Sequence, residues 1–109
     1  MNQTSPVLKS DKLELGCGQR PTPGYLHQDI TMQAGVDLDF TCPIWEIPLP
    51  ENSLAEVMAL ALMEHLRFTE FTEALRHIHK LLRPGGEFLF DLPDIRRWSE
   101  YLYHITHDM

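Results

Sequence analysis

The chain has 109 residues, with 9 lysine and arginine side chains against 16 aspartate and glutamate side chains, and a formal net charge of −7. This acidic average field repels polyanions, so the composition disfavours nucleic acid and acidic membranes as partners. Two cysteines, Cys17 and Cys42, are too few for a disulfide framework, and the longest apolar run, Val57–Met63, is far too short to cross a membrane. The first twelve residues are polar and do not resemble a signal peptide, so we expect one cytoplasmic domain over residues 1–109.

Three short strands are predicted in the first 40 residues. Leu13–Leu15 runs into the turn Gly16-Cys17-Gly18, Tyr25–Ile30 follows a segment rich in proline and glycine, and in Val36–Phe40 apolar residues alternate with acids. Between Gly18 and Tyr25 there are too few residues for a complete crossover helix, since parallel strands usually need a dozen or more. A loop or a single turn is therefore expected to join the first two strands.

The segment Ser53–Leu66 can be interpreted in two ways. Its alanine, leucine, methionine and glutamate residues favour a helix, and Ser53 and Glu56 have the spacing of a capping box. Its position favours a strand, because a clear helix follows and a parallel sheet needs a buried strand before each crossover. We predict an extended segment over Leu54–Leu60 that pairs with the Leu13 strand in the middle of a parallel sheet.

A helix over Thr69–Arg83 has the clearest pattern in the chain. Its apolar residues recur three, four and seven positions apart, Thr69 could cap its start, and Pro84-Gly85-Gly86 is expected to stop it. A strand is predicted next over Glu87–Leu92, followed by a weaker helix over Arg96–His107. This alternation predicts an α/β fold, a Rossmann-like, mostly parallel sheet with flanking helices.

Four motifs in order resemble class I S-adenosylmethionine-dependent methyltransferases of the methyltransferase type 11-like group. They are Leu13-Glu14-Leu15-Gly16-Cys17-Gly18, then Pro23-Gly24-Tyr25 ending in Asp29-Ile30, then Leu49-Pro50-Glu51-Asn52-Ser53-Leu54 with Met63-Glu64-His65, and finally Leu82-Arg83-Pro84-Gly85-Gly86-Glu87-Phe88. The resemblance runs from about Leu13 to Asp94. It implies S-adenosylmethionine as the cofactor and a small molecule as the methyl acceptor.

The resemblance also implies a set of site residues. The glycines of the turn let the main chain approach the cofactor without a Cβ, and Asp29 is expected to accept hydrogen bonds from the ribose hydroxyls. Asp39 is expected at the end of the third strand, where it could accept from the adenine amino group, and His65 could act as a general base on a hydroxyl acceptor. The full set of cofactor-binding residues is Glu14, Gly16, Cys17, Gly18, Asp29, Ile30, Leu38, Asp39, Phe40 and Ala61.

Two departures from the family pattern keep alternatives open. The turn lacks a third glycine, and the helix and two strands that follow Asp94 in the family have no counterpart before Met109. We therefore expect the C-terminal strands to be missing, the acceptor pocket to be incomplete, and a second copy or a partner chain to pair with the exposed edge of the last strand. The alternatives are a non-catalytic cofactor-binding or assembly module and a nucleotide-dependent oxidoreductase. No metal site is expected, because the histidines lack a third firm ligand.

Overall fold

The computed structural model describes residues 8–60 and 62–91, and the predicted helix over Arg96–His107 lies outside these residues. Five strands form one sheet in the order β3-β2-β1-β4-β5, and every neighbouring pair is parallel. The strands are β1 Lys12–Leu15, β2 Leu26–Asp29, β3 Phe40–Thr41, β4 Leu54–Ala59 and β5 Leu82–Phe90. One α-helix, α1 Phe68–Leu81, lies between β4 and β5 in the described part of the chain. This architecture is the predicted Rossmann-like α/β fold.

The strand interpretation of the ambiguous segment is confirmed. β4 covers Leu54–Ala59 and pairs with β1 through the neighbours Leu13 and Val57, so it lies inside the sheet. Leu54, Val57 and Ala59 are buried in the same apolar cluster as Phe71 and Ile78 of α1. Pairing with a strand on each side, together with burial of Leu54, Val57 and Ala59 against α1, therefore outweighs the local helix propensity of this sequence.

The third strand is much shorter than predicted. Only Phe40 and Thr41 pair with β2, whereas Val36–Leu38 is not extended sheet, so the prediction of a strand over Val36–Phe40 is wrong for most of its length. A turn at Gly35 ties the Val36 N–H to the Gln33 carbonyl, and the first hydrogen bond to β2 runs from the Asp39 N–H to the His27 carbonyl, at 2.9 Å. An alternating apolar pattern is not enough to form a strand, because the segment also needs a neighbouring strand with which it can hydrogen-bond.

Both ends of the helix differ from the predicted Thr69–Arg83. Helix α1 is preceded by Arg67, whose N–H donates to Glu70 Oε1 at 2.9 Å and whose carbonyl accepts from Phe71, so Thr69 lies inside the helix and is not its cap. The helix ends at Leu81, before the Pro84-Gly85-Gly86 stop, because the residue preceding a proline disfavours helical geometry.

Strand β5 begins earlier than the predicted Glu87–Leu92. It starts at Leu82 opposite Leu54, and its register then shifts so that Glu87 pairs with Glu56. Pro84, Gly85 and Gly86 form this bulge: Gly85 has φ of +84°, and a Cβ on Gly86 would lie 2.9 Å from the Arg83 carbonyl oxygen. Residue Leu92 lies outside the described part.

Among the strands of the described residues, β5 lies at one edge of the sheet, which makes the predicted association through this edge testable. Leu89 is exposed there, and Phe88 and Phe90 stack with ring centroids 4.7 Å apart. If a second copy pairs with this edge, the mass measured by light scattering should rise with protein concentration. A constant monomer mass at high concentration would contradict this prediction.

Candidate functional site

The turn between β1 and the following loop is fixed to the end of β2 by three successive main-chain N–H groups. The Gly16 N–H donates to Gln28 Oε1 at 2.9 Å, the Cys17 N–H to the Gln28 carbonyl at 3.1 Å, and the Gly18 N–H to Asp29 Oδ2 at 3.0 Å. Gly16 and Gly18 have φ near +60°, a left-handed conformation that glycine adopts without steric penalty. The glycine turn is therefore held in one geometry by residues 28 and 29.

The carboxylate of Asp29 is the centre of a second set of main-chain contacts. Besides Gly18, it accepts from the N–H groups of Ile30 at 2.8 Å and Thr31 at 3.3 Å, both on Oδ1. A carboxylate has about four lone-pair sites. The two bonds on Oδ1 use that oxygen fully, whereas the single bond on Oδ2 leaves one acceptor site for a ligand.

Glu14 orders the loop that replaces a crossover helix. Its buried carboxylate accepts from the Thr22 N–H and from the Thr22 hydroxyl, each at 2.7 Å. His27 supports the same loop residue, since its Nε2 donates to the Thr22 carbonyl at 2.7 Å. Both oxygens of Glu14 therefore hold the loop through Thr22.

A pocket opens where β1 and β2 end. It has a volume of about 100 Å³, and an apolar surface dominates its walls. Typical small-molecule sites hold roughly 300–1,000 Å³, so this pocket would enclose only part of a cofactor. Its lining residues come from the glycine turn, the end of β2, the loop after β3 and the approach to α1: Gly16, Gln28, Asp29, Ile30, Pro43, Ile44, Trp45, Leu62, Leu66 and Glu70.

Of the predicted site residues, the pocket brings Gly16, Asp29 and Ile30 together. Gly18 lies two residues after Gly16, outside the pocket lining, and its N–H donates to Asp29. Cys17 is buried in the turn, and burial together with the charges of Glu14 and Asp29 raises the pKa of its thiol, so its sulfur is a packing group at neutral pH. Ala61 lies outside the described residues.

Asp39 has a position different from the one predicted. It precedes β3 and does not end it, and it is not among the residues that line the pocket. Its carboxylate lies 2.6 Å from Lys9 Nζ and accepts from the His27 N–H at 2.8 Å. Burial opposes its ionisation, but the contacts with Lys9 and His27 outweigh this effect and lower the pKa of Asp39 below its usual value.

Leu38, Phe40 and His65 also lie away from the pocket lining. Leu38 is half-buried in the irregular segment before β3, and Phe40 packs on the apolar core. His65 is exposed at the end of a short 3-10 helix, Met63–His65, that begins directly after the pocket residue Leu62.

Sequence reasoning missed Gln28, Trp45 and Leu62. Gln28 offered a signal, because a polar residue alternating with Leu26 on the inward face of a strand is unusual and needs hydrogen-bond partners. Trp45 lies in a short 3-10 helix, Ile44–Glu46, within the proline-rich loop, and Leu62 lies near the end of the apolar run Val57–Met63. The positions of Trp45 and Leu62 along the chain did not indicate a pocket, because the two residues come close together only through the order of the strands in the sheet.

Comparison with known families identifies this architecture. A sequence profile described as methyltransferase domain matches residues 33–90, which is more than half of the chain and covers β3 to β5. The chain belongs to this methyltransferase family, and its five-stranded parallel sheet is that of a class I S-adenosylmethionine-dependent methyltransferase-like domain. The glycine turn and Asp29 precede the matched span. No curated protein matches the chain closely enough to count as a relative.

Within residues 8–60 and 62–91, no helix has the length and apolar character needed to span a membrane. The same residues contain no group of three or more histidine, cysteine, aspartate or glutamate side chains placed to hold a metal ion.

Proposed function

We propose that this domain binds S-adenosylmethionine at the ends of β1 and β2 and transfers its methyl group to a small-molecule acceptor. The observation that carries the proposal is the apolar pocket at this position, which joins the glycine turn and Asp29 within a sheet of the methyltransferase family. In open α/β sheets, ligands bind outside the carboxyl ends of the strands.

The fit of the cofactor to these residues rests on the turn. A Cβ on Gly16 would lie 3.0 Å from both terminal carbons of the Leu62 side chain, which lines the same pocket. The absence of a side chain at Gly16 therefore keeps space open between the turn and Leu62. Asp29 adds a carboxylate oxygen with remaining acceptor capacity beside this space, which suits a ribose hydroxyl.

In this proposal the chain's residues bind and orient, and they supply little covalent chemistry. When bound, the cofactor would supply an electrophilic methyl group whose bond to the sulfonium sulfur breaks on transfer, with a neutral thioether as the leaving group. Asp29 would hold the ribose, while the apolar side chains of Ile30, Trp45 and Leu62 would exclude water and pack against the rest of the molecule. Alignment of the methyl group with an acceptor atom would then provide most of the rate enhancement. For a hydroxyl acceptor, His65 is the candidate general base.

The contacts of the turn argue against the dinucleotide alternative. Dinucleotide folds bind a pyrophosphate with free N–H groups of a glycine turn and with the N-terminus of the helix behind it. Here the N–H groups of Gly16, Cys17 and Gly18 all donate hydrogen bonds to residues 28 and 29, and a loop follows the turn in place of a helix. A pyrophosphate would have to break these bonds.

Calorimetry with S-adenosylhomocysteine and with NAD tests the cofactor assignment. We expect binding of S-adenosylhomocysteine and a much weaker response to NAD. A preference for NAD would contradict the proposal and favour an oxidoreductase.

Single-turnover methyl transfer to a panel of small hydroxyl, amine and carbon acceptors tests the reaction. We expect transfer to at least one class of acceptor. Retained cofactor binding without transfer to any of them would favour a non-catalytic binding or assembly module.

A further inference from the structure

Gln28 connects the ends of three strands through one side chain. It is the third residue of β2, and only 3% of its surface is exposed. Its Oε1 accepts from the Gly16 N–H at 2.9 Å, at the end of β1, and its Nε2 donates to the Cys42 carbonyl at 2.6 Å, directly after β3. Both the oxygen and the nitrogen of the side-chain amide therefore have a hydrogen-bond partner, on main-chain groups that directly follow β1 and β3.

These two bonds fix groups that would otherwise lack a partner. The Gly16 N–H lies in a left-handed turn and donates to Gln28 Oε1, and an apolar side chain at position 28 could replace neither contact. An unpaired buried amide or carbonyl is costly, and it relaxes by moving toward water. Loss of the amide should thus displace the turn on one side and the Cys42 segment on the other.

Both displaced segments carry pocket residues. Gly16 forms one wall, and Pro43, Ile44 and Trp45 follow Cys42 directly along the chain. Gln28 itself also lines the pocket. The spacing between the glycine turn and the Trp45 segment is therefore set by the length of one buried glutamine amide.

We infer that Gln28 is a positioning residue of the cofactor site, which sets the width of the pocket between the Gly16–Gly18 turn and the Pro43–Trp45 segment. This inference rests on the proposed function. It differs from a purely structural role because it predicts a loss of affinity larger than the loss of stability explains.

The first test compares Gln28→Met with Leu81→Ala. Methionine has a similar length but offers neither hydrogen bond, whereas Leu81 is buried at the other end of α1 from the pocket. We expect Gln28→Met to bind S-adenosylhomocysteine at least about tenfold more weakly than the wild type. Leu81→Ala should lose stability in urea unfolding but keep its affinity. Equal affinity of folded Gln28→Met and wild type would overturn the inference.

The second test uses Gln28→Glu and does not depend on how well the methionine variant folds. At neutral pH the introduced carboxylate still accepts from the Gly16 N–H but repels the Cys42 carbonyl oxygen. At acidic pH the introduced carboxyl gains a proton that it can donate to Cys42. We expect a loss of affinity at neutral pH that is recovered, relative to the wild type, as the pH falls. An unchanged ratio of the two affinities across the pH series would contradict the positioning role.

The wild-type protein separates this inference from the proposed function. If the wild type does not bind S-adenosylhomocysteine, the proposed function fails and this inference fails with it. If the wild type binds and the Gln28 variants bind equally well at every pH, only the role of Gln28 is wrong.

Discussion

Replacing Asp29 by alanine should lower the affinity for S-adenosylhomocysteine at least about tenfold. A hydrogen bond to a charged group contributes roughly 1.5–3 kcal/mol, and about 1.4 kcal/mol corresponds to a factor of ten in affinity. The structure adds a second reason, because the same carboxylate holds the N–H groups of Gly18, Ile30 and Thr31. Its removal would release the turn and the start of the loop after β2 in addition to the ribose contact.

Calorimetry on the wild type and Asp29→Ala measures this effect, and Asp37→Ala is a matched control. Asp37 is an exposed acid of the same type and is not among the residues lining the pocket, so its replacement changes the net charge equally. We expect the control to bind like the wild type. Equal affinities of Asp29→Ala and wild type would mean that the ribose contact is assigned to the wrong residue.

The place of β4 beside β1, in the interior of the sheet, could be predicted from the sequence because burial determines it. The segment Leu54–Ala59 has a strong helix composition, yet an apolar run before a crossover helix has to occupy the interior of a parallel sheet. The helix α1 could be predicted for the same reason, since its buried residues follow a single face. In both cases the pattern of apolar residues along the chain contains the information.

The details that were missed depend on partners distant in the chain. The length of β3 depends on where β2 ends, and the start of α1 depends on a contact between the Arg67 N–H and Glu70. Asp39 resembled a strand-end ligand in the sequence, but Lys9 and the His27 N–H engage its carboxylate. Hydrogen bonds of this kind have no period in the sequence, so only the folded arrangement reveals them.

The candidate site shows the same division between local and distant information. Gly16 and Asp29 were predictable because a glycine turn after a strand and an acid at a strand end are local patterns. Gln28, Trp45 and Leu62 enter the pocket from three separate segments that become neighbours only in the sheet. The residues that hold a cofactor are thus easier to predict than those that set the shape of its pocket.

Gly16→Ala and Gly18→Ala should both reduce stability, and Gly16→Ala should cause the larger loss of cofactor affinity. Both glycines have φ near +60°, where a side chain costs about 1–2 kcal/mol. They differ in what a Cβ would meet: at Gly16 it would lie 3.0 Å from the terminal carbons of Leu62, and at Gly18 it has no neighbour within 4 Å in the described structure.

The crowding at Gly16 should be relieved by movement of Leu62, because a leucine side chain shifts more easily than the turn. Since Leu62 lines the pocket, its movement changes the space available to the cofactor. Urea unfolding and calorimetry with S-adenosylhomocysteine on both variants separate the two effects, since backbone strain is common to them. In the Leu62→Ala background, Gly16→Ala should cost less affinity than it does in the wild type, because the side chain that it crowds is gone. If Gly16→Ala and Gly18→Ala lose affinity equally, the open space between Gly16 and Leu62 is not part of the cofactor site.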